Sequence, residues 1–179
     1  MRVLGIDPSA TATGWVFLST DPTSFSGKEL KFGELNPKKL TGLERVSWYY
    51  DEMDALMKEH HPELVLIEGY GYGNAYTLAT LVAVGTALRL SGFRSKYRAL
   101  WMEASPGTLK KFVTGSGVAK KNTMLLEVYK RWGFDAPTDN IADAYALARL
   151  GEAYLLKDPK AAGLPKFQID SLSKVRGLV

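Results

Sequence analysis

The sequence predicts an α/β fold, with one mixed, five-stranded sheet flanked by helices. Short apolar runs bounded by turn residues alternate with longer segments of helical period, as expected for strands and helices layered in one domain. The chain has 179 residues, of which 46% are hydrophobic and 23% charged. Both values are ordinary for a globular protein, and the length fits one domain with a sizeable core.

Three strands are predicted in the first part of the chain. Residues 2–6 form an apolar run too short for a helix, and residues 14–19 and 30–33 show similar patterns. The segment between the second and third strands is rich in Ser, Thr, Asp and Pro, which is typical of a turn or hairpin loop. We therefore expect an antiparallel arrangement there.

A first amphipathic helix and a fourth strand follow. The helix should end near His60, because Pro62 cannot continue it. Residues 64–67 predict a strand, and the strand–helix–strand order favours a parallel pair. Apolar residues recur at helical spacing at Leu43, Val46, Tyr50, Met53 and Met57.

The remaining elements are one strand, four helices and a basic tail. The helix predicted for residues 74–90 is apolar around most of its circumference, so both sides should be buried. Residues 157–179 lack a clear period and are basic, so we expect a loosely ordered tail after a domain of residues 1–156. The other predicted elements are a fifth strand at 99–103 and helices at 106–113, 120–132 and 139–156.

The composition restricts the possible chemistry. The chain has no Cys, so thiolate chemistry is excluded, and the two His residues, His60 and His61, are adjacent. A hard cation held by oxygen atoms, such as Mg²⁺, therefore fits better than zinc. The net charge of +4 suits a polyanionic partner, although mildly basic proteins are common. Because no signal pattern or long apolar run is present, we expect a cytoplasmic protein.

Four acidic residues could hold such a cation. Asp7 and Glu68 each end an apolar run, and Asp139 and Asp143 open the last predicted helix. Buried carboxylates are costly unless a cation neutralises them. Two metal ions about 4 Å apart can activate water and stabilise the leaving oxygen in phosphodiester hydrolysis. These acids therefore predict a metal-dependent enzyme.

Each acid also has a simpler interpretation. Asp7 precedes Pro8 and could initiate a turn, and Glu68 could end a strand at the surface. Asp139 could be a helix N-cap or a first-turn acid favoured by the helix dipole. Asp143 lies one turn further along, where capping no longer explains it, on the same helix face as Asp139 and Asn140.

Four motifs carry a family resemblance. They are Gly5-Ile6-Asp7-Pro8-Ser9 with Thr13-Gly14-Trp15; Ile67-Glu68 followed by a loop and a long helix from Asn74; Leu109-Lys110-Lys111 through Thr114-Gly115-Ser116-Gly117-Val118-Ala119-Lys120-Lys121; and Ala142-Asp143-Ala144-Tyr145-Ala146-Leu147-Ala148. Because these four motifs occur in this order over residues 1–155, the chain resembles the RuvC family of Holliday-junction endonucleases. The resemblance implies a ribonuclease-H-like fold and resolution of junctions in DNA recombination and repair by paired, symmetric cleavage.

The resemblance also implies a metal site. Asp7, Glu68 and Asp143 match the family's ligands for two Mg²⁺ ions, for which Mn²⁺ is expected to substitute. The family's remaining ligand is an acid or His three residues before the final Asp, where this chain has Asn140. Either Asp139 reaches in from a shifted helix start, or Asn140 serves as a neutral oxygen ligand. Asp139 is slightly favoured, because charge matters for Mg²⁺.

Lysines and tyrosines predict contacts with branched DNA. Lys110, Lys111, Lys120 and Lys121 flank a Gly-Ser-Gly turn whose backbone N–H groups could also meet phosphates. By resemblance, Lys110 and Lys121 match the family's DNA-contacting lysines. The alternative is a solvated helix face.

Tyr70 and Tyr72 lie in a glycine-rich loop after Glu68. Aromatic residues beside a nuclease centre can stack on unpaired bases. The family has a stacking aromatic in this loop, but the loop length differs here, and the sequence does not decide between Tyr70 and Tyr72. Either residue could instead pack on the protein surface.

The second predicted helix matches the family's dimer element. A four-way junction is approximately twofold symmetric, so paired cuts need two active sites related by a dyad. The candidate contacts for a homodimer are Leu78, Leu81, Val82 and Leu88. The alternative is that this helix is buried under the chain's own tail.

Two other functions compete with junction resolution. A less selective nuclease could cut flaps, forks or RNA–DNA hybrids with the same acids. A sugar-kinase or actin-like ATPase is a remote alternative, since Gly5-Ile6-Asp7 with Thr11, Thr13 and Gly14 resembles a phosphate loop, but 179 residues leave little room for the second domain. A junction-binding protein without activity would leave the acids unexplained.

Overall fold

The computed structural model describes residues 1–20, 29–71 and 75–178. Within these residues, six strands form one sheet in the order β3-β2-β1-β4-β5-β6. The strands are β1 (Arg2–Asp7), β2 (Thr13–Ser19), β3 (Glu29–Leu35), β4 (Leu64–Glu68), β5 (Leu100–Ala104) and β6 (Arg176–Gly177). The helices are α1 (Gly42–His60), α2 (Ala75–Arg94), α3 (Pro106–Thr114), α4 (Lys121–Trp132), α5 (Asp139–Tyr154) and α6 (Lys166–Leu172).

The sheet is mixed, as predicted. Strands β1, β2 and β3 are antiparallel neighbours, whereas β4 runs parallel to β1, and β5 runs parallel to β4. Strand β1 therefore lies between an antiparallel and a parallel partner. The carboxyl ends of β1, β4 and β5 meet at one edge of the sheet.

Helices cover both faces of the sheet, and for this reason the central strands are apolar without alternation. On one face, Val3 and Leu66 pack with α3, α4 and α5 in one buried cluster. On the other face, Leu4 and Ile67 pack with α1 and α2 in a second cluster. Neighbouring residues within β1, and likewise within β4, therefore belong to hydrophobic clusters on opposite faces of the sheet.

Helix α5 lies very close to β1 and β2 because two glycines leave room for its backbone. A Cβ atom at Gly5 would meet the backbone of Ala144 and Ala148, and one at Gly14 would meet the backbone of Asn140. This close packing brings the first turns of α5 to the sheet edge where β1 ends.

The C-terminal segment differs from the sequence prediction. Residues 166–172 form α6, and β6 adds a sixth strand, antiparallel to β5, to the predicted five. Gln168 is buried and donates a hydrogen bond to the Phe112 carbonyl at 3.0 Å. The expectation of a loosely ordered tail was wrong for these residues, whereas the domain boundary at residue 156 stays a prediction. No helix in the described part of the chain is long and apolar enough to cross a membrane.

Candidate active site

Asp7 and Glu68 lie side by side at the ends of β1 and β4. Ile6 pairs with Ile67 in the parallel register, so the next residue of each strand reaches the same edge. Asp7 is buried, with 8% of its surface exposed, and Glu68 is half-buried.

The surroundings of Glu68 make its ionisation costly. Burial raises the pKa of Glu68 to about 7, and the negative charge of Asp143 contributes in the same direction. The Asp7 hydrogen bond and the positive charge of Lys110 act in the opposite direction and lower this pKa. Glu68 is therefore within electrostatic reach of Asp7, Asp143 and Lys110, which lie far from it in the sequence.

Helix α5 carries Asp139 in its first turn and brings the charge of Asp143 within electrostatic reach of Glu68. Thr138 is its N-cap, and its hydroxyl accepts a hydrogen bond from the Ile141 backbone N–H at 3.2 Å. Asp139 is thus a first-turn acid and not the cap itself. Both aspartates are half-buried, and each has polar interactions within the fold.

Asn140 makes structural hydrogen bonds. Its amide nitrogen donates to the Ala12 carbonyl at 2.9 Å and to Glu34 Oε1 at 3.2 Å. Glu34 also accepts a hydrogen bond from the Thr138 hydroxyl at 2.7 Å. Asn140 therefore ties the start of α5 to the β1–β2 loop and to β3, while its carbonyl oxygen remains a candidate ligand beside Asp139.

The loop that follows Asp7 is held by hydrogen bonds. Thr13 Oγ1 accepts from the Ser9 N–H at 3.1 Å, and the buried Tyr49 hydroxyl donates to the Ser9 carbonyl at 3.1 Å. These contacts hold the loop of residues 9–13, which follows Asp7 in the chain.

The four candidate DNA-binding lysines have different surroundings. Lys110 is half-buried in α3 and acts on Glu68, as described above. Lys111 Nζ lies 3.7 Å from Asp170 Oδ2 of α6. Lys120 is exposed at the start of α4, and Lys121 is the first residue of that helix, with a side chain outside the described part of the structure.

Of the two candidate stacking residues, Tyr70 is described, and Tyr72 lies outside the described residues. Tyr70 is 38% exposed and lines a cleft of about 270 Å³ together with Glu68, Leu81 and Pro106. Its ring is therefore accessible beside the acidic edge, although its hydroxyl donates a hydrogen bond to the Val82 carbonyl at 3.4 Å.

The candidate dimer residues of α2 separate into two groups. Leu78 and Leu81 are half-buried, and Val82 is 38% exposed. Leu88 is completely buried in the chain's own core, so the expectation that it contacts a partner was wrong. Among the α2 side chains that the structure describes, Leu90 and Phe93 are the more exposed apolar ones, and no sequence motif indicated them.

Arg89 and Glu103 form a further ion pair beside the candidate site that no sequence motif indicated. Arg89 Nη2 and Glu103 Oε2 are 2.6 Å apart, and the same nitrogen donates a hydrogen bond to the Glu68 backbone carbonyl. The available signal was a charged residue inside an otherwise apolar helix, since Arg89 and the terminal Arg94 are the charged residues of α2. Such a residue needs a buried partner, and β5 provides it.

The donor set fits a hard divalent cation. Among residues 1–20, 29–71 and 75–178, no three carboxylate or imidazole groups are already gathered as a metal-ligand cluster. The donors at the edge are nevertheless all oxygen atoms, as Mg²⁺ prefers. The negative charge of Asp143 disfavours ionisation of Glu68, and a divalent ion bound among these carboxyls would relieve that repulsion.

One family of known proteins matches most of this chain. The family described as crossover junction endodeoxyribonuclease RuvC matches residues 3–150. The RuvC of Fusobacterium nucleatum is 31% identical over 82% of this chain and 77% of its own length. That of Gloeobacter violaceus is 27% identical over 94% of this chain and 98% of its own length.

Solved structures show the same fold. Thermus thermophilus RuvC, in complex with a Holliday junction substrate, is similar with a TM-score of 0.72 and 19% identity, over 99% of both chains. The yeast mitochondrial Holliday junction resolvase is similar with a TM-score of 0.59 and 14% identity, over 96% of this chain and 82% of its own. At these identities the likeness concerns the fold alone, and it confirms the predicted α/β, ribonuclease-H-like class.

Proposed function

Because the chain belongs to the crossover junction endodeoxyribonuclease RuvC family, we propose that it resolves Holliday junctions by metal-dependent, paired and symmetric phosphodiester hydrolysis. The observation that carries this proposal is the surroundings of Glu68, where Asp7, Asp143 and Lys110 all act on one carboxyl group at the sheet edge. Family membership does not favour the less selective nuclease or the ATPase.

The metal ligands in this proposal are Asp7, Glu68 and Asp143, with Asp139 or Asn140 as the fourth. Mg²⁺ bound there would activate a water molecule and stabilise the leaving oxygen. The protein supplies fixed carboxylates: two end neighbouring parallel strands, and the others lie on a helix packed directly on the sheet. This rigidity places the ligands before DNA binds, as efficient hydrolysis requires.

The DNA-binding role of the lysines follows from charge. Lys110 lies beside the acids and can hold the phosphate next to the scissile bond, whereas Lys120 and Lys121 at the start of α4 would contact the backbone further away. Lys111 contributes less in this proposal, because Asp170 already neutralises part of its charge. Tyr70, in the cleft beside Glu68, would stack on an unpaired base.

A homodimer would supply the second active site. The candidate interface is the exposed apolar side of α2, where Val82, Leu90 and Phe93 are 38%, 47% and 65% exposed. Exposed apolar side chains at this density on one helix are typical of an interaction surface. We propose that Leu78, Leu81 and Val82 contribute from the first half of the helix. Sedimentation at micromolar concentration tests this, and a clean monomer would contradict paired cleavage.

The activity is tested with a fixed four-way junction in the presence of Mg²⁺. We expect symmetric nicks across the junction by the wild-type protein and none by Asp7→Asn. Flaps, forks and RNA–DNA hybrids of matched length should be cut far more slowly. Equal cleavage of these substrates would indicate the less selective nuclease, and no cleavage of any substrate would refute the proposal.

A further inference from the structure

We propose that Arg89 is a positioning residue that holds two parts of the candidate active site, the Glu68 end of β4 and the ring of Tyr70, in one fixed relationship. This inference rests on the proposed function, because it assigns a metal ligand to Glu68 and a DNA contact to Tyr70. Arg89 itself belongs to α2, the helix that carries the candidate dimer surface.

One side of the guanidinium group holds the end of β4. Arg89 Nη2 donates to the Glu68 backbone carbonyl at 3.2 Å and to Glu103 Oε2 at 2.6 Å. Glu103 is in β5, directly beside Ile67 in the parallel register. One nitrogen atom thus connects α2 to the backbone of the proposed ligand and to the neighbouring strand.

The other side holds Tyr70. Arg89 Nη1 donates to the Tyr70 hydroxyl at 3.2 Å and to the Gly85 carbonyl at 3.0 Å. The guanidinium carbon also lies 4.8 Å from the centre of the Tyr70 ring. A planar group with several fixed donors can hold both partners at once, which the single ammonium of a lysine cannot do.

Two glycines leave room for this arrangement. A Cβ atom at Gly85 would lie 2.7 Å from both Arg89 Nη1 and the Tyr70 hydroxyl. A Cβ atom at Gly69 would lie 3.0 Å from Glu103 Oε1. The contacts of Arg89 therefore depend on glycine at one position in α2 and at one position in the loop after β4.

The consequence is that α2, Glu68 and Tyr70 cannot move independently. Arg89 is only 17% exposed in its side chain, and the ion pair with Glu103 is partly shielded from water. Removing one partner of such a pair leaves the other charge poorly solvated. A displacement of α2 would therefore be transmitted to the metal ligand and to the stacking ring together.

The test compares Arg89→Gln, Arg89→Lys and Gly85→Ala with wild type, and uses Arg94→Gln on the same helix as the matched control. The first readout is the Mg²⁺ concentration that gives half of the maximal thermal stabilisation, measured without DNA. The second is amide hydrogen exchange in residues 67–70. Single-turnover cleavage of the junction is the third.

We expect Arg89→Gln to raise the required Mg²⁺ concentration by about 10- to 100-fold, as loss of a group that orients a metal ligand does. Exchange should increase at residues 67–70 and not across the whole sheet. Arg89→Lys should rescue only part of the effect, and Gly85→Ala should reproduce it without removing any polar group. Arg94→Gln should behave as wild type.

Unchanged Mg²⁺ requirement and exchange in Gly85→Ala and Arg89→Lys would overturn the inference, even if Arg89→Gln failed to fold. A uniform increase in exchange across all strands would also overturn it, because that is the result of a general loss of stability. If wild type cut no junction but the Arg89 variants still weakened Mg²⁺ binding, the proposed function would fail and the positioning role would stand.

Discussion

Asp7 and Glu68 end two neighbouring parallel strands side by side, one residue beyond the paired Ile6 and Ile67. Two carboxylates in such partly buried positions repel each other when both are charged. The same pair therefore costs stability when both are charged, and it becomes favourable when a divalent cation binds between them. Folding stability and metal binding are coupled at this point of the structure.

Glu68→Gln should stabilise the metal-free protein at alkaline pH while abolishing cleavage. The pKa of Glu68 rises from 4.5 to about 7 on folding, so stability falls as the pH increases through this window. Above pH 7 the gain from Gln should reach at most about 3 kcal/mol, and it should vanish towards pH 4.5. Denaturant unfolding at pH 5 and pH 8 measures this difference in unfolding free energy. Glu44→Gln, at an exposed position, is the control. A variant less stable than wild type at pH 8 would contradict this account.

The fourth ligand can be assigned by three substitutions. Asp143→Asn should abolish Mg²⁺-dependent cleavage, and Asp139→Asn should reduce it strongly if Asp139 is the ligand. Asn140→Ala should instead lower stability by about 1–3 kcal/mol, because it leaves the Ala12 carbonyl without the Asn140 donor and Glu34 with the Thr138 hydroxyl but not the Asn140 amide. Near-full activity of Asp139→Asn would exclude that residue and direct attention to the Asn140 carbonyl oxygen. Junction-cleavage rates at saturating Mg²⁺, together with urea melts, distinguish these outcomes.

Neighbouring lysines should differ in their effect on DNA binding. Lys110→Ala and Lys121→Ala should each weaken junction binding and reduce the salt dependence by about one phosphate contact, a change of about 0.9 in the slope of log K against log salt. Lys111→Ala is the matched control, since Asp170 lies 3.7 Å from its ammonium group, and a smaller change is expected. Binding is measured in Ca²⁺ at several salt concentrations, to prevent cleavage. Identical slopes for Lys110→Ala and wild type would refute the contact.

The sequence was sufficient to predict the strands that form the middle of the sheet and the acids that end them. Apolar runs such as Leu64–Ile67 are local signals, and an acid directly after one must lie at the sheet edge. Strand β6 was missed because its two residues become a strand only by pairing with β5, far away in the chain.

Arg89 was missed for the same physical reason. Its partners Glu103, Tyr70 and Glu68 are 14, 19 and 21 residues away, and no periodicity brings them together. For Lys111 the basic motif predicts a charge available to DNA, and the fold adds what the motif does not contain, an Asp170 carboxylate 3.7 Å from its ammonium group.

His60 should make the protein less stable below neutral pH. It is buried, stacks on Phe17 with ring centres 4.6 Å apart, and its Nε2 has no hydrogen-bond partner in the described structure. Burial lowers the pKa of His60 below 6.5, although the nearby Glu59 opposes this and Lys31 adds to it. The folding stability that the neutral His60 imidazole contributes is therefore present above pH 6.5. It is lost as the pH falls through the lowered pKa of His60.

The test is a comparison of wild type with His60→Phe, which keeps a ring against Phe17. The difference in unfolding free energy between the two proteins should change between pH 7 and pH 5, with wild type losing more. His61→Phe, at the exposed end of α1, is the matched control. A constant difference across this range would show that His60 does not titrate on unfolding.

Gly5→Ala should destabilise the fold and disturb the site together. Its Cβ atom would lie 2.5 Å from the Ala148 backbone nitrogen and even closer to the Ala144 carbonyl, and a helix backbone cannot yield as a side chain can. Overpacking of this kind costs about 1–3 kcal/mol, or roughly 2–12 °C in Tm for a chain of this size. Because α5 carries Asp143, its displacement should also reduce Mg²⁺-dependent cleavage. Gly107→Ala is the control, since its nearest neighbour would be 3.7 Å away. If Gly5→Ala melted like wild type, α5 would have to lie further from β1 than it does here.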